Sequence, residues 1–164
     1  MATRTKSDDP ASSTSSTLTV AFIGNPNTGK STLFSSLVGV RQRTGNYPGV
    51  TVEKKWGELR GTAGPMRIVD LPGTYSLTAY SPEEVIARDY IIKERPDVVV
   101  AVVNAASLER NLYLVSELLP LHSRVVVGLN MVDVAERNGV QIDHEMLSER
   151  LGVPVVRTIG TRDE

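Results

Sequence analysis

The sequence predicts an α/β domain: a mixed, mostly parallel sheet with helices on both faces. Three observations carry that prediction. Apolar runs of strand length alternate along the chain with segments of helical periodicity. The run Val98-Val99-Val100-Ala101-Val102-Val103 has no polar alternation, as expected of a central parallel strand covered on both sides. The first apolar run, Leu18 to Ile23, leads straight into a glycine-containing loop and then a helical pattern with Leu33, Phe34 and Leu37. That strand–loop–helix order puts a loop at the carboxyl end of the sheet, where ligands of such folds sit.

A chain of 164 residues is one domain, long enough for a real core. Residues Met1 to Thr17 are rich in Ser and Thr, with Lys, Arg, Asp and Pro scattered among them, and read as a disordered tail. They lack the apolar centre of a secretory signal. The domain itself is expected over 18–164. After the first helix, Arg41 to Gly49 holds two glycines and a proline without periodicity and is predicted to be a loop. Thr51 to Arg60 and Met66 to Asp70 read as strands of a hairpin around the turn Gly61 to Pro65. Ser81-Pro82-Glu83-Glu84 is a helix start, with a capping serine, proline in the first turn and glutamate three residues after the cap. That helix continues through Val85, Ile86, Tyr90 and Ile91 towards Pro96. After the strand at Val98, Leu108, Leu112, Val115 and Leu119 recur at helical spacing behind a cap at Ser107. Arg124 to Leu129 is the next strand, Asp143 caps a short helix ending at Gly152, and Val153 to Val156 is the last strand. The sheet is thus expected to have six strands. Only Gly160 to Glu164 follow, so the C-terminal helix that would close this side is expected to be missing and the domain to be cut short.

Composition narrows the function classes. Net charge is −1, with 40% hydrophobic and 23% charged residues, so no basic surface announces a nucleic-acid partner. There is no cysteine, hence no disulfide and no thiolate-bound metal, which fits a reducing compartment. His122 and His144 lie far apart with no ligand spacing. The longest apolar stretch is too short to span a bilayer.

Three motifs select a ligand. Gly24-Asn25-Pro26-Asn27-Thr28-Gly29-Lys30-Ser31 is G-x-x-x-x-G-K-S, a loop whose backbone N–H groups turn inward around phosphate oxygens. Lys30 carries positive charge to the β and γ phosphates, Ser31 offers a hydroxyl to magnesium, and Thr32 belongs to the same nucleotide-binding stretch. Asp70-Leu71-Pro72-Gly73 supplies a carboxylate for magnesium and, from Gly73, an N–H for a γ phosphate. In Asn130-Met131-Val132-Asp133, the Asp133 carboxylate can accept two hydrogen bonds from guanine, whereas adenine would leave it unpaired. Gly49-Val50-Thr51 ends the irregular loop. Thr51 is placed to give a hydroxyl to magnesium and an N–H to the γ phosphate when that loop closes, and to release them after hydrolysis. In this order the motifs predict a Ras-like P-loop GTPase domain, with Lys30, Thr51 and Gly73 as the residues closest to catalysis.

The phosphate loop and the string from Arg41 to Glu53 (RQRTGNYPGVTVE) closely resemble the G domain of bacterial ferrous iron transport protein B. The strings from Asp70 to Leu77 and from Glu109 to Leu114, and the guanine motif, continue the likeness from Leu18 onward. The resemblance implies a longer protein in which a helical regulatory segment and a membrane-embedded iron-transport region follow the domain. This segment would then be soluble and lie on the cytoplasmic side of the bacterial inner membrane. It also implies potassium activation, with Asn27 and carbonyls at Gly45 and Tyr47 holding the cation. That cation would supply the charge an arginine finger gives elsewhere. Thr74 stands where many GTPases place a water-orienting glutamine, so intrinsic hydrolysis is expected to be slow. The family's last guanine motif is altered here to Gly160-Thr161-Arg162, in which the Thr161 N–H would still meet the guanine O6. Two other readings stand beside this one. The first is a nucleotide-gated module that docks a partner through Arg41 to Val52 with little turnover. The second is a ribosome-assembly or tRNA-modification GTPase, which would carry an RNA-binding domain and a basic face.

Overall fold

The computed structural model describes residues 17–62, 64–122 and 124–159. The predicted tail, apart from Thr17, and Gly160, Thr161 and Arg162 lie outside the described residues. The predicted fold class is found, with one more strand than expected. Seven strands form one mixed, mostly parallel sheet: β1 (Leu18–Gly24), β2 (Arg43–Asn46), β3 (Glu53–Gly61), β4 (Gly64–Asp70), β5 (Val98–Asn104), β6 (Val125–Asn130) and β7 (Val155–Arg157). Their order is β2-β3-β4-β1-β5-β6-β7. β1 runs parallel to both β4 and β5, while β2, β3 and β4 are antiparallel neighbours. The chain leaves central β1 to one side, builds β2 to β4, then crosses back to β5 on the other. The end of β1 is therefore the topological switch point, the place where such sheets bind ligands.

The added strand β2 lies within the predicted loop at 41–49. Its four residues, Arg43-Thr44-Gly45-Asn46, are short, polar and without alternation, as suits the edge of a sheet. Pairing with β3 specifies it, from Arg43 opposite Trp56 to Asn46 opposite Glu53. The connection is a tight turn in which the Val50 N–H donates to the Tyr47 carbonyl (3.3 Å) and the Tyr47 N–H to the Val52 carbonyl (3.0 Å). Pro48 and Gly49, the latter at φ 76°, occupy the two central positions as a type II turn requires.

Strand alternation divides the core into two layers. Ala21 and Ile23 of β1 face one side, where Leu114, Val115 and Leu118 of α3 (Leu108–Leu118) and Ala87 of α2 (Pro82–Asp89) cover the sheet. Phe22 faces the other, against Phe34 and Val38 of α1 (Lys30–Val38). On that second face an apolar cavity of about 770 Å³ remains beside α1, lined by Phe22, Leu33, Leu37, Val100, Val126 and Val156 among others.

Helix α2 has the predicted capping box: the Glu84 N–H donates to Ser81 Oγ (3.2 Å), and Glu84 Oε2 accepts the Ser81 N–H (3.4 Å). It continues as a π-helical turn over Tyr90–Glu94 and stops at Arg95, which is left-handed with φ 47°. Ser107 does not cap α3 with its side chain. A 3₁₀ turn, Ala105–Ser107, comes first and is capped by Asn104, whose Oδ1 accepts the Ala106 N–H (2.8 Å). Helix α4 (Val132–Arg137) was not anticipated, because six residues are too few to display a period. Helix α5 (His144–Leu151) starts on Asp143 as predicted, the carboxylate accepting the Met146 N–H (2.9 Å), and ends at Gly152.

The β2–β3 hairpin is fastened from beneath. Tyr47 is buried, and its ring, with those of Trp56 and Tyr90, surrounds the Lys54 ammonium at 5.5, 5.8 and 5.7 Å. Such contacts stabilise by about 0.5–2 kcal/mol each. The Tyr47 hydroxyl has no hydrogen-bond partner among the described residues. Burial, aided by Tyr90 and the Asp70 carboxylate, pushes this phenol above its ordinary range. Tyr47→Phe is expected to raise the unfolding free energy by about 1 kcal/mol in urea titrations at pH 7. A group whose folded pKa is raised stabilises fully below the unfolded value, about 10, and loses that contribution above it. The advantage of Tyr47→Phe should therefore widen above pH 10; a variant less stable than wild type would show that the hydroxyl is bonded.

Candidate nucleotide-binding site

The loop between β1 and α1 is shaped by backbone positions that exclude side chains. A Cβ on Gly24 would lie 2.5 Å from the Val102 carbonyl oxygen of β5. Gly29 is left-handed (φ 79°), and a Cβ there would lie 2.4 Å from Asn130 Nδ2. Asn27 is also left-handed (φ 64°), a conformation asparagine tolerates better than most residues. Thr28 Oγ1 donates to the Asn25 carbonyl (3.0 Å) and closes the loop on itself. From below, Asn130 Nδ2 donates to the Thr28 carbonyl (2.9 Å), and Asn130 Oδ1 accepts from Thr158 Oγ1 (3.2 Å). The guanine-motif asparagine is thus a strut of the phosphate loop. The cavity over the loop measures about 430 Å³ and is lined by Asn25 to Thr32 and by Gly73.

Lys30 and Ser31, which line this cavity, both bond to Asp70. Lys30 and Asp70 are each only 6% exposed and form an ion pair, and Lys30 Nζ also donates to the Leu71 carbonyl (2.6 Å). Burial pulls the Lys30 ammonium below its ordinary pKa, against the opposing pull of Asp70. Ser31 Oγ donates to the other Asp70 oxygen (3.1 Å). A hydroxyl and a carboxylate side by side are hard oxygen donors, the set suited to magnesium. A glycine-shaped loop, the N-terminus of α1 and a lysine together suit an anion.

Past Asp70 the chain runs beside β1. The Leu71 N–H donates to the Phe22 carbonyl (2.9 Å), and the Thr74 N–H to the Gly24 carbonyl (3.1 Å). Gly73 is thereby set against the loop, where a Cβ would come 3.4 Å from Pro26. Leu71 itself is core, with Pro72 partly covered. Met131, left-handed at φ 59°, precedes α4; Asp133 sits in its first turn and pairs with Arg137 (3.1 Å).

The remaining predicted site residues do not join the cluster of Lys30, Ser31 and Asp70. Gly49, Val50 and Thr51 are exposed on the hairpin turn, and the loop cavity is lined without them. Gly45 lies opposite Lys54 in the β2–β3 pair, and the Tyr47 carbonyl already accepts the Val50 N–H. Asn27 is exposed at the cavity edge. Sequence reasoning missed the strut between Asn130 and Thr28, the support from Thr158 and the use of the Leu71 carbonyl. An asparagine ending an apolar strand was the one available hint; nothing marks a threonine or a main-chain oxygen in advance.

A phosphate loop at the switch point, a carboxylate beside its lysine and an asparagine strut from the second strand over define a P-loop domain of G-domain architecture. Residues 18–164 match the family profile of ferrous iron transport protein B, and the chain belongs to that family. It is 52% identical over 149 residues to the Fe(2+) transporter FeoB of Salmonella typhimurium, covering 88% of this chain and 19% of the relative. The chain thus spans about a fifth of that relative's length. It resembles the G domain of the T. maritima FeoB iron transporter (TM-score 0.84, 40% identity, 89% of each chain covered). It also resembles the cytosolic domain of that transporter in a GDP form (TM-score 0.86, 41% identity, 91% of this chain and 58% of the other).

Removing one member of a buried ion pair strands the other. Lys30→Met is therefore expected to lower stability by about 3–5 kcal/mol. The double variant Lys30→Met/Asp70→Leu should recover most of the loss in denaturant midpoints. Additive losses in the double variant would contradict the pairing.

Proposed function

We propose that this chain is a GTP-binding, slowly GTP-hydrolysing switch domain that regulates ferrous iron uptake through the membrane region of a longer protein. The observation that carries this reading is the convergence of Lys30, Ser31 and Asp70 beneath a glycine-shaped loop. The family relation and the GDP form of the T. maritima relative support it. In this reading the N–H groups of Asn25 to Thr32 cradle the phosphates. Lys30 exchanges Asp70 for the β and γ phosphate oxygens. Ser31 and Asp70, with Thr51 once the hairpin closes, would hold magnesium, which supplies positive charge to the phosphates when bound. Asp133 leaves Arg137 to accept guanine, flanked by Asn130 and Met131, with Thr161 of the Gly160-Thr161-Arg162 segment completing the base pocket.

Hydrolysis requires a water oxygen to bond to the γ phosphorus as the bond to the β–γ bridging oxygen breaks, releasing GDP and phosphate. Gly73 would donate its N–H to the γ phosphate, and Asn27 with the carbonyls of Gly45 and Tyr47 would hold potassium. Reaching that arrangement requires the β2–β3 hairpin, with Gly49, Val50 and Thr51 at its turn, to move toward the loop. This motion is the switch. Thr74 offers no amide to orient water: its N–H bonds to Gly24 and its hydroxyl to the Ser76 carbonyl (2.8 Å). Among the described residues no helix is long and apolar enough to cross a membrane. From the family relation we read the transporter region as lying elsewhere in the full protein, with this domain on the cytoplasmic side of the inner membrane.

Single-turnover GTP cleavage in potassium buffer against sodium buffer tests the proposal. Potassium is expected to accelerate cleavage by at least about tenfold, and Asn27→Ala to abolish the difference. Equal, negligible rates in both buffers with GTP bound would favour the nucleotide-gated docking module, in which the exposed hairpin serves a partner.

A further inference from the structure

The string Glu109 to Leu114, part of the family resemblance, has no role in the site as described. It forms the N-terminal half of α3. Asn111 within it is buried; its amide donates to the Ser107 carbonyl (2.8 Å) and Ser107 Oγ (3.2 Å), and its oxygen accepts the Asn104 N–H (3.3 Å). These bonds fasten α3 to the end of β5. Arg110 is exposed, and its guanidinium stands 4.5 Å from the centroid of the Tyr75 ring. Seven residues on, along the same side of the helix, Glu117 accepts the Leu77 N–H through one oxygen (2.8 Å) and the Ser76 hydroxyl through the other (3.3 Å).

Residues 71–80 have no regular secondary structure, so individual contacts set their course. At the near end the Thr74 N–H is tied to the Gly24 carbonyl. At the far end the Tyr80 N–H donates to Glu84 Oε2 (2.9 Å). Between these ties, Arg110 and Glu117 grip three consecutive residues, Tyr75, Ser76 and Leu77, from a helix that cannot shift without breaking the Asn111 bonds. A carboxylate that accepts two donors at once is a strong, directional hold, and the guanidinium–ring contact adds to it.

We propose that Arg110 and Glu117 are positioning residues for γ-phosphate recognition: α3 grips residues 75–77 and so fixes Gly73 against the phosphate loop. The proposal rests on the reading of Gly73 given above. Neither side chain reaches the cavity, so their effect falls on the nucleotide that carries a γ phosphate and spares the one that lacks it.

The test compares Glu117→Ala, Glu117→Gln and Arg110→Ala with wild type. It measures affinity for GDP and for a β,γ-imido GTP analogue, the single-turnover rate of GTP cleavage, and the melting temperature. Glu117→Ala is expected to weaken the analogue by about tenfold or more while leaving GDP within about twofold, and to slow cleavage by about tenfold to a hundredfold. Glu117→Gln keeps one acceptor oxygen and should fall between. Arg110→Ala should move in the same direction by less. An unchanged ratio of analogue to GDP affinity, or equal loss of both with a lowered melting temperature, would overturn the proposal. Wild-type protein that binds GDP yet cleaves no GTP would count against the proposed hydrolysis alone, since the affinity ratio still decides the positioning claim.

Discussion

Everything near the loop depends on keeping a lysine charged in a place where burial opposes charge. Lys30 sits at the start of α1, almost wholly covered, and is held by Asp70 and the Leu71 carbonyl. An unpaired ammonium there would cost several kcal/mol. The requirement for a partner explains why β4 must lie next to β1 and why its last residue is an aspartate. It also explains why the chain beyond β4 stays close, since the Leu71 and Thr74 N–H groups continue the pairing along β1 and into the loop. An anion over the loop would meet a cation already in place and needing only a change of partner.

The same economy of space recurs around the loop. Gly29 has no side chain because Asn130 occupies that volume, and Asn130 stands there because it holds the Thr28 carbonyl. The residue that begins the guanine motif therefore also braces the phosphate loop, so the two ends of the site are mechanically joined. The hairpin differs in kind. Its strand β2 is the edge of the sheet and its turn is exposed, while β3 is paired along β4 and Lys54 stands among three aromatic rings.

The sequence was most legible where a period or a cap leaves a chemical trace. Val98 to Val103 announced a central strand, the Ser81–Glu84 box a helix start, and Asp143 and Gly152 the two ends of α5. The failures share a cause. Strand β2 is defined by its pairing with β3, and Arg43-Thr44-Gly45-Asn46 has no internal pattern to reveal it. Helix α4 is shorter than two turns. Ser107 looked like a cap, but Asn104 took that role through a 3₁₀ turn that only the path from β5 into α3 dictates. In the site, residues of the phosphate-loop motif line the cavity together with Gly73. The motif could not foretell the bonds made through main-chain oxygens or across the 102-position separation of Thr28 and Asn130, because such contacts arise only when the sheet assembles.

This loop, braced by Asn130 and charged by Lys30, is read as part of a guanine-nucleotide site. Calorimetric titration of the chain with GDP and with ADP in magnesium buffer tests it most directly. GDP is expected to bind with a preference over ADP of about a hundredfold or more, since adenine would leave Asp133 unpaired. Equal affinity for the two, or no binding of either, would contradict it.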